Sequence, residues 1–278
     1  MSSYENYHKT SRVYDKTRSA GGVETILQAL VAGPLPLQQQ VLVDAGCGTG
    51  LYTAALIGEV QRIEAVDLNA GMLEMAQSKL TTEFEEGRIR FHQSAIGTLP
   101  LPDDSMDAVM TNQVLHHLPD DAAANWPGHT EVFREFARVL KPGGCVIINS
   151  CGHEQLEQGF WFYRLIPDAL QAVKEKAVDL GTLDALLQES GFDALHREVP
   201  LDLVLQGDAY LLADGILDPD WRRGDSIWSL VAVDALADVL AKVTALRDAG
   251  KLEAFMQHHD QPRTTTGQVT FTIARKPS

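Results

Sequence analysis

The chain has 278 residues, 45 % of them apolar and 22 % charged, enough for one large domain or a core domain with an appended lobe. Its formal net charge of −15 excludes nucleic acid and anionic membrane as default partners, a local basic pocket aside. Three cysteines (Cys47, Cys145 and Cys151) without a C-x-x-C pair point to neither a disulfide framework nor a structural zinc, and no metal is expected. Residues 1–11 are polar and carry no apolar signal core, and no apolar run is long enough to span a bilayer, so the expectation is a cytoplasmic enzyme with reduced thiols.

In chain order, residues 1–40 read as an N-terminal helical cap. Val23, Ile26, Leu27, Leu30 and Val31 recur at helical spacing, and Gly33 and Pro34 end the run. The stretch 41–50, VLVDAGCGTG, reads as a buried strand (Val41, Leu42, Val43) entering a turn at Gly46, Gly48 and Gly50, where backbone can approach a ligand closely. Its spacing is G-x-G-x-G, and position 51 is Leu. The G-x-G-x-x-G of dinucleotide binders is therefore absent, and a nucleoside fits better than a pyrophosphate.

A second strand over Ile63–Val66 finishes at Asp67, and Met72, Leu73, Met75, Ala76 and Leu80 suit the following helix. Ile89–Phe91 predicts a third strand ending near Ser94, and a Pro-flanked loop leads to a fourth over Met106–Thr111. Val132, Phe133, Phe136, Val139 and Leu140 mark one face of a helix stopped by Lys141, Pro142, Gly143 and Gly144. Cys145–Asn149 then reads as a central parallel strand. Leu183–Glu189 predicts a helix with a glycine stop at Gly191, and alternation of Leu201, Leu203 and Leu205 predicts a sixth strand. Val269, Phe271 and Ile273 give the last strand, after about sixty residues of mainly helical pattern, far more than an ordinary connection. The whole is an α/β chain with a doubly wound sheet: a core over 41–206 and 264–278, and a helical insertion over 207–263 that serves as an acceptor-binding lid.

Asp67 closes the second strand, where a carboxylate can accept hydrogen bonds from both ribose hydroxyls of a nucleoside in the glycine loop. The competing role, capping the next helix, falls within the reach of Asn69 itself.

VLVDAGCGTG (41–50), EAVDLNAGML (64–73), LPLPDDSMD (99–107), VLHHL (114–118) and FARVLKPGG (136–144) together resemble the successive motifs of class I S-adenosylmethionine-dependent methyltransferases. The similarity is greatest to the small-molecule branch that includes the ubiquinone and menaquinone methyltransferases, and it runs in order through residues 41–150. It implies a Rossmann-like seven-stranded sheet with an antiparallel last strand. It also implies S-adenosyl-L-methionine as cofactor and in-line methyl transfer to a small-molecule acceptor at an O, N, C or S atom. Carried over residue by residue, Asp44, Gly46 and Gly48 line the methionine end of the cofactor, Asp67 takes the ribose, and Leu68 and Met72 flank the adenine. Ser94 and Ala95 fall where the family has an acidic residue and a small one near the adenine amino group, so Ser94 is a departure with a weaker acceptor. Asn112, Gln113 and Val114 lie under the sulfonium. Tyr14 and Arg18, in YDKTR (14–18), resemble a segment that closes over the cofactor, with Arg18 on its carboxylate; a solvated helix is the equal alternative.

Where the acceptor carries a proton to be removed, His116, His117 and His153 are the candidate bases, against a structural role for the paired histidines. Trp161, Tyr163, Trp221 and Trp228 fall in segments expected to cover the site, as walls for a flat or apolar acceptor or as the lid's own core. Arg222 and Arg223 read as an anion-recognising pair or an exposed turn. TNQV (111–114) lacks the Asn/Asp-Pro-Pro-aromatic signature of nucleic-acid base amine methylation, which agrees with the acidic charge. A nicotinamide-dependent oxidoreductase, disfavoured by the missing glycine and the absence of Tyr-x-x-x-Lys, and a non-catalytic cofactor-binding protein are the alternatives. Monomer and homodimer are both left open.

Overall fold

The computed structural model describes residues 19–278. Its strands are β1 (Val41–Ala45), β2 (Arg62–Asp67), β3 (Ile89–Gln93), β4 (Met106–Asn112), β5 (Leu140–Ser150), β6 (Asp193–Glu198) and β7 (Thr270–Arg275). They form a seven-stranded sheet in the order β3-β2-β1-β4-β5-β7-β6. β1 pairs in parallel with β2 and β4, β2 with β3, and β4 with β5, whereas β7 runs antiparallel to both β5 and β6. The strand order reverses between β1 and β4, and in open α/β sheets ligands bind beyond the carboxyl ends of the strands at such a point.

Around the sheet lie α1 (Val23–Val31), α2 (Leu51–Leu56), α3 (Ala70–Lys79), α4 (Thr81–Glu85), α5 (Pro127–Val139), α6 (His153–Gln158), α7 (Pro167–Lys176), α8 (Leu180–Glu189), α9 (Pro219–Arg222), α10 (Val233–Asp248), α11 (Leu252–Asp260) and α12 (Arg263–Thr266). All of β1 is buried, as a strand covered on both faces must be. Its alternate residues serve two cores. Leu42 joins Ile63, Ala108 and Ile147 beneath α1 and α2, and Val43 joins Val66, Val109 and Ile148 beneath α5 and α8.

The first five strands and the last lie within a few residues of their expected positions. The sixth is a correction. Residues 201–205 are not a strand: Leu203 and Leu205 are buried, but the Leu205 N–H is taken by the side-chain Oε1 of Gln268 rather than by a neighbouring strand. The leucine alternation therefore records two separate anchors into the core, not a pleat. The true β6 is an edge strand, mostly exposed and broken by a register shift between Asp193 and His196, with Ala194 at φ 48°. A one-sided, solvated edge has little apolar pattern to betray it.

The chain that follows β5 and the long segment between β6 and β7 share one aromatic core. Phe162 is its centre, with ring centroids 5.1 Å from Trp221, 5.9 Å from Trp228 and 6.2 Å from Tyr210. Trp161 packs edge-on to Phe162 at 5.7 Å and donates its indole N–H to the Tyr210 carbonyl at 3.0 Å. Among the described residues no helix is long and apolar enough to cross a membrane.

Candidate functional site

The loop leaving β1 is held by two hydrogen bonds, from the N–H groups of Gly46 and Cys47 to the carbonyl of Val66 at the end of β2. Gly46 has φ 83°, and a Cβ there would come within 2.5 Å of Val114, so the loop lies directly on the segment after β4. At Gly48, φ 54°, nothing among the described residues lies within 4 Å of an added Cβ. The loop thus packs against protein at one glycine and presents bare backbone to a cleft at the next.

Two carboxylates flank this backbone. Asp67 accepts the Gly48 N–H through Oδ2 and the Asn69 N–H through Oδ1, each at 2.8 Å. Asn69 in turn caps α3, its Oδ1 accepting the Met72 N–H at 3.2 Å. Asp67 is thereby free of the capping role and clamps the loop to the end of β2, with lone pairs remaining on both oxygens. Burial raises its pKa above the usual value, opposed by the N–H groups of Asn69 and Gly48. Asp44 is fully buried behind the loop and accepts the Thr53 hydroxyl at 2.7 Å. Burial, with Asp67 adding to it and the Thr53 hydrogen bond opposing, pushes its carboxyl up to about 7. A cation in the cleft favours the ionised form of both groups.

The cleft is walled by Asp44, Gly46, Gly48, Tyr52, Asn112 and Gln113 among others. Both amide atoms of Asn112 are buried there without a hydrogen-bond partner among the described residues, an arrangement that a polar ligand would relieve. The orphaned amide atoms of Asn112 and the two carboxylates make a donor and acceptor set that fits an amino-acid-bearing nucleoside cation. At the edges of β2 and β3, Leu68 is 43 % exposed while Met72 is buried beneath it in α3. Ser94 donates its hydroxyl to the Thr98 carbonyl at 2.6 Å, and its oxygen keeps acceptor capacity. Ala95 is exposed. Tyr14 and Arg18 lie outside the described residues.

A second cavity opens between the end of β4 and the aromatic segments. His116 and His117 line it from a 3-10 turn over Leu115–His117, their rings 4.0 Å apart. Tyr163, stacked on Phe160 at 4.5 Å, donates its hydroxyl to Oδ2 of Asp225 at 3.1 Å, and Arg223 and Cys151 complete the polar wall. Gln113 and Leu205 line both cavities, so the two spaces adjoin at these side chains.

Three expected pocket residues are corrected. Trp161, Trp221 and Trp228 do not wall this cavity. They are buried in the aromatic core, where their large apolar surfaces stabilise the segment's own fold, and the Trp221 indole donates to the Ala209 carbonyl at 2.6 Å. Of the aromatic set only Tyr163 reaches the cavity. His153 is likewise outside the lining, its Nε2–H held by the Ala177 carbonyl at 2.8 Å. Arg222 donates to the Ile216 carbonyl, and Arg223 is paired with Asp220. Burial pushes the thiols of Cys47 and Cys145 up, the latter to about 11, which keeps both protonated and unreactive.

Sequence reasoning passed over Tyr52, Asn149, Leu205 and Asp225. Asn149 did carry a signal, since it is a polar residue in the otherwise apolar run of a central strand.

An α/β sheet with an antiparallel seventh strand and an acidic, glycine-lined cleft at its switch point is the Rossmann-like architecture of nucleoside-cofactor methyltransferases. The family profile described as a methyltransferase domain matches residues 43–148. An uncharacterized methyltransferase of Mycobacterium bovis is 32 % identical over 48 % of this chain and 61 % of its own length. The demethylmenaquinone methyltransferase of Lactococcus lactis is 30 % identical over 56 % of this chain and 67 % of its own. Among solved structures, a putative methyltransferase from an antibiotic biosynthesis pathway of Anabaena variabilis superposes with TM-score 0.73 at 21 % identity, covering 94 % of this chain and 98 % of that one, and shows the shared fold. The chain belongs to the class I S-adenosylmethionine-dependent methyltransferases. It spans 61 % of the length of the mycobacterial relatives it matches.

Proposed function

We propose that the protein transfers a methyl group from S-adenosylmethionine to a small molecule held in the second cavity. The observation that carries this reading is the junction at Gln113 and Leu205, through which an acceptor in one space meets the reactive end of a cofactor in the other. The bound cofactor supplies an activated methyl group on a sulfonium, so what remains for the protein is in-line placement and exclusion of water. Asp67 binds the ribose hydroxyls, the amide of Asn112 pairs with the cofactor's polar end, and Leu68 with Met72 flanks the adenine beside Ser94 and Ala95. Around the acceptor, Phe160 and Tyr163 present a stacked aromatic wall and Asp225 a buried carboxylate. His116 or His117 takes the acceptor's proton when the acceptor is a hydroxyl or ammonium. His153 is left out of this role by its bond to the Ala177 carbonyl.

We place in the lid both the segment 207–263 and the stretch from α6 to α7, because Phe162 joins them in one core. Relatives and neighbours act on chemically unlike acceptors. One structural neighbour is a Haemonchus contortus phosphoethanolamine N-methyltransferase in complex with phosphomonomethylethanolamine and S-adenosylhomocysteine (TM-score 0.60, 18 % identity). The acceptor of this chain is therefore to be sought from its own lid. Incubation with methyl-labelled cofactor and fractionated metabolites should move label into a low-mass product. Tight binding of NAD with no uptake of S-adenosylhomocysteine would overturn the reading.

A further inference from the structure

The two cavities are joined by more than a common wall. The N–H of Gln113 donates to the Asn149 carbonyl at 2.9 Å, and its Nε2 donates to the Asn149 side-chain Oδ1 at 3.0 Å. The Nδ2 of Asn149 donates to the Tyr52 hydroxyl oxygen at 3.1 Å, and the Tyr52 hydroxyl donates to the Gly21 carbonyl at 2.9 Å. At the other end, the Cys151 thiol donates to Oε1 of Gln113 at 3.5 Å. The run therefore begins at a wall of the acceptor cavity, passes through the shared residue and a β5 side chain 1 % exposed, and reaches Tyr52 in the wall of the cofactor cleft.

The direction of every bond follows from its last member. A backbone carbonyl only accepts, so Tyr52 must donate to Gly21. The Tyr52 oxygen then receives Nδ2 of Asn149, which turns Oδ1 toward Gln113. Gln113 meets it with Nε2 and presents Oε1 to the thiol. All donors point the same way, an arrangement in which each bond polarises the next. The same residue is held in an unusual backbone state: Gln113 has φ 57°, in the left-handed region that a side-chain-bearing residue enters rarely, and Asn149 grips it through both backbone and side chain.

We infer that Asn149 is a positioning residue that ties Tyr52 in the cofactor cleft to Gln113 at the junction, so that filling the first cavity fixes the wall of the second. This rests on the methyltransferase reading of the two cavities. It makes cofactor binding precede productive acceptor binding, because Gln113 is oriented from the cofactor side. Asn149 itself touches neither ligand in this scheme.

The test is a double-mutant cycle on Tyr52→Phe and Gln113→Met, read as the dissociation constant of S-adenosylhomocysteine by calorimetry, with melting temperatures recorded alongside. Each single variant should weaken binding about three- to ten-fold, the range of one buried hydrogen bond. The double variant should lose roughly the larger single factor rather than the product. Repeating the cycle with Asn149→Leu should make the two effects independent; if that variant does not fold, the first cycle decides alone. Losses that multiply in the native background, or non-additivity that survives Asn149→Leu, would overturn the relay while leaving the methyltransferase reading standing. A native protein that takes up no S-adenosylhomocysteine would overturn both.

Discussion

The cofactor cleft and the lid are built by opposite means. The cleft is made of short-range pieces: a loop pinned to the Val66 carbonyl, a carboxylate within hydrogen-bond reach of Gly48 and Asn69, and an asparagine capping the next helix. The lid is made of rings brought together from far along the chain, with Phe162 against Tyr210, Trp221 and Trp228. The first region has a geometry that a nucleoside cofactor demands and tolerates little change. The second buries its aromatic surface, and Tyr163, Arg223 and Asp225 extend from it into the wall of the second cavity.

The contrast breaks most visibly if the lid is not an independent core. Phe162→Ala should cost about 3–5 kcal/mol of stability by removing the ring at the centre of the aromatic core. Hydrogen exchange should then rise in 207–266 and stay slow in β1, β4 and β5; equal loosening of sheet and lid would show that the two are one unit. Asp67→Ala should weaken S-adenosylhomocysteine binding by about 1.5–3 kcal/mol, since it removes the ribose acceptor and leaves the Gly48 and Asn69 N–H groups without it. An unchanged affinity by calorimetry would remove Asp67 from the cofactor site.

A smaller effect is expected from pH. The buried carboxyl of Asp44 is raised from 3.8 to about 7, so its neutral form is the one that folding favours. Its contribution to stability is complete below about pH 4 and is lost as pH rises through about 7. Thermal melts of the cofactor-free protein should fall over that window, and Asp44→Asn should flatten the slope. Smallest is Tyr163→Phe, which removes one hydroxyl from Asp225 and should cost about 0.5–1.5 kcal/mol in stability while leaving cofactor affinity unchanged. A loss of cofactor affinity in that variant would place Tyr163 in the wrong cavity.

The same contrast governs what could be read from the amino acids. Val41 through Gly50 announce themselves because a strand, a positive φ at Gly46 and a bare backbone at Gly48 are local demands met by local residues. Asn69 was rightly assigned the cap, which leaves Asp67 at the end of β2 free of that role. The tryptophans were not, because whether an aromatic faces a ligand or a neighbouring ring depends on partners tens of positions away, as with Trp161 and Tyr210. Leu201, Leu203 and Leu205 mimicked a strand because two core anchors two apart, Leu203 and Leu205, beside an exposed Leu201 look like a pleat. Asn149 stood out as a polar residue in a buried strand, but its three bonds to Gln113 and Tyr52 need the fold to be seen.

The account is tested most directly by a crystal structure with S-adenosylhomocysteine bound. It predicts the ribose hydroxyls on Asp67 and the sulfur beside Gln113, facing the cavity lined by His116, His117 and Tyr163. A sulfur turned away from that cavity, or a ribose with no contact to Asp67, would contradict it.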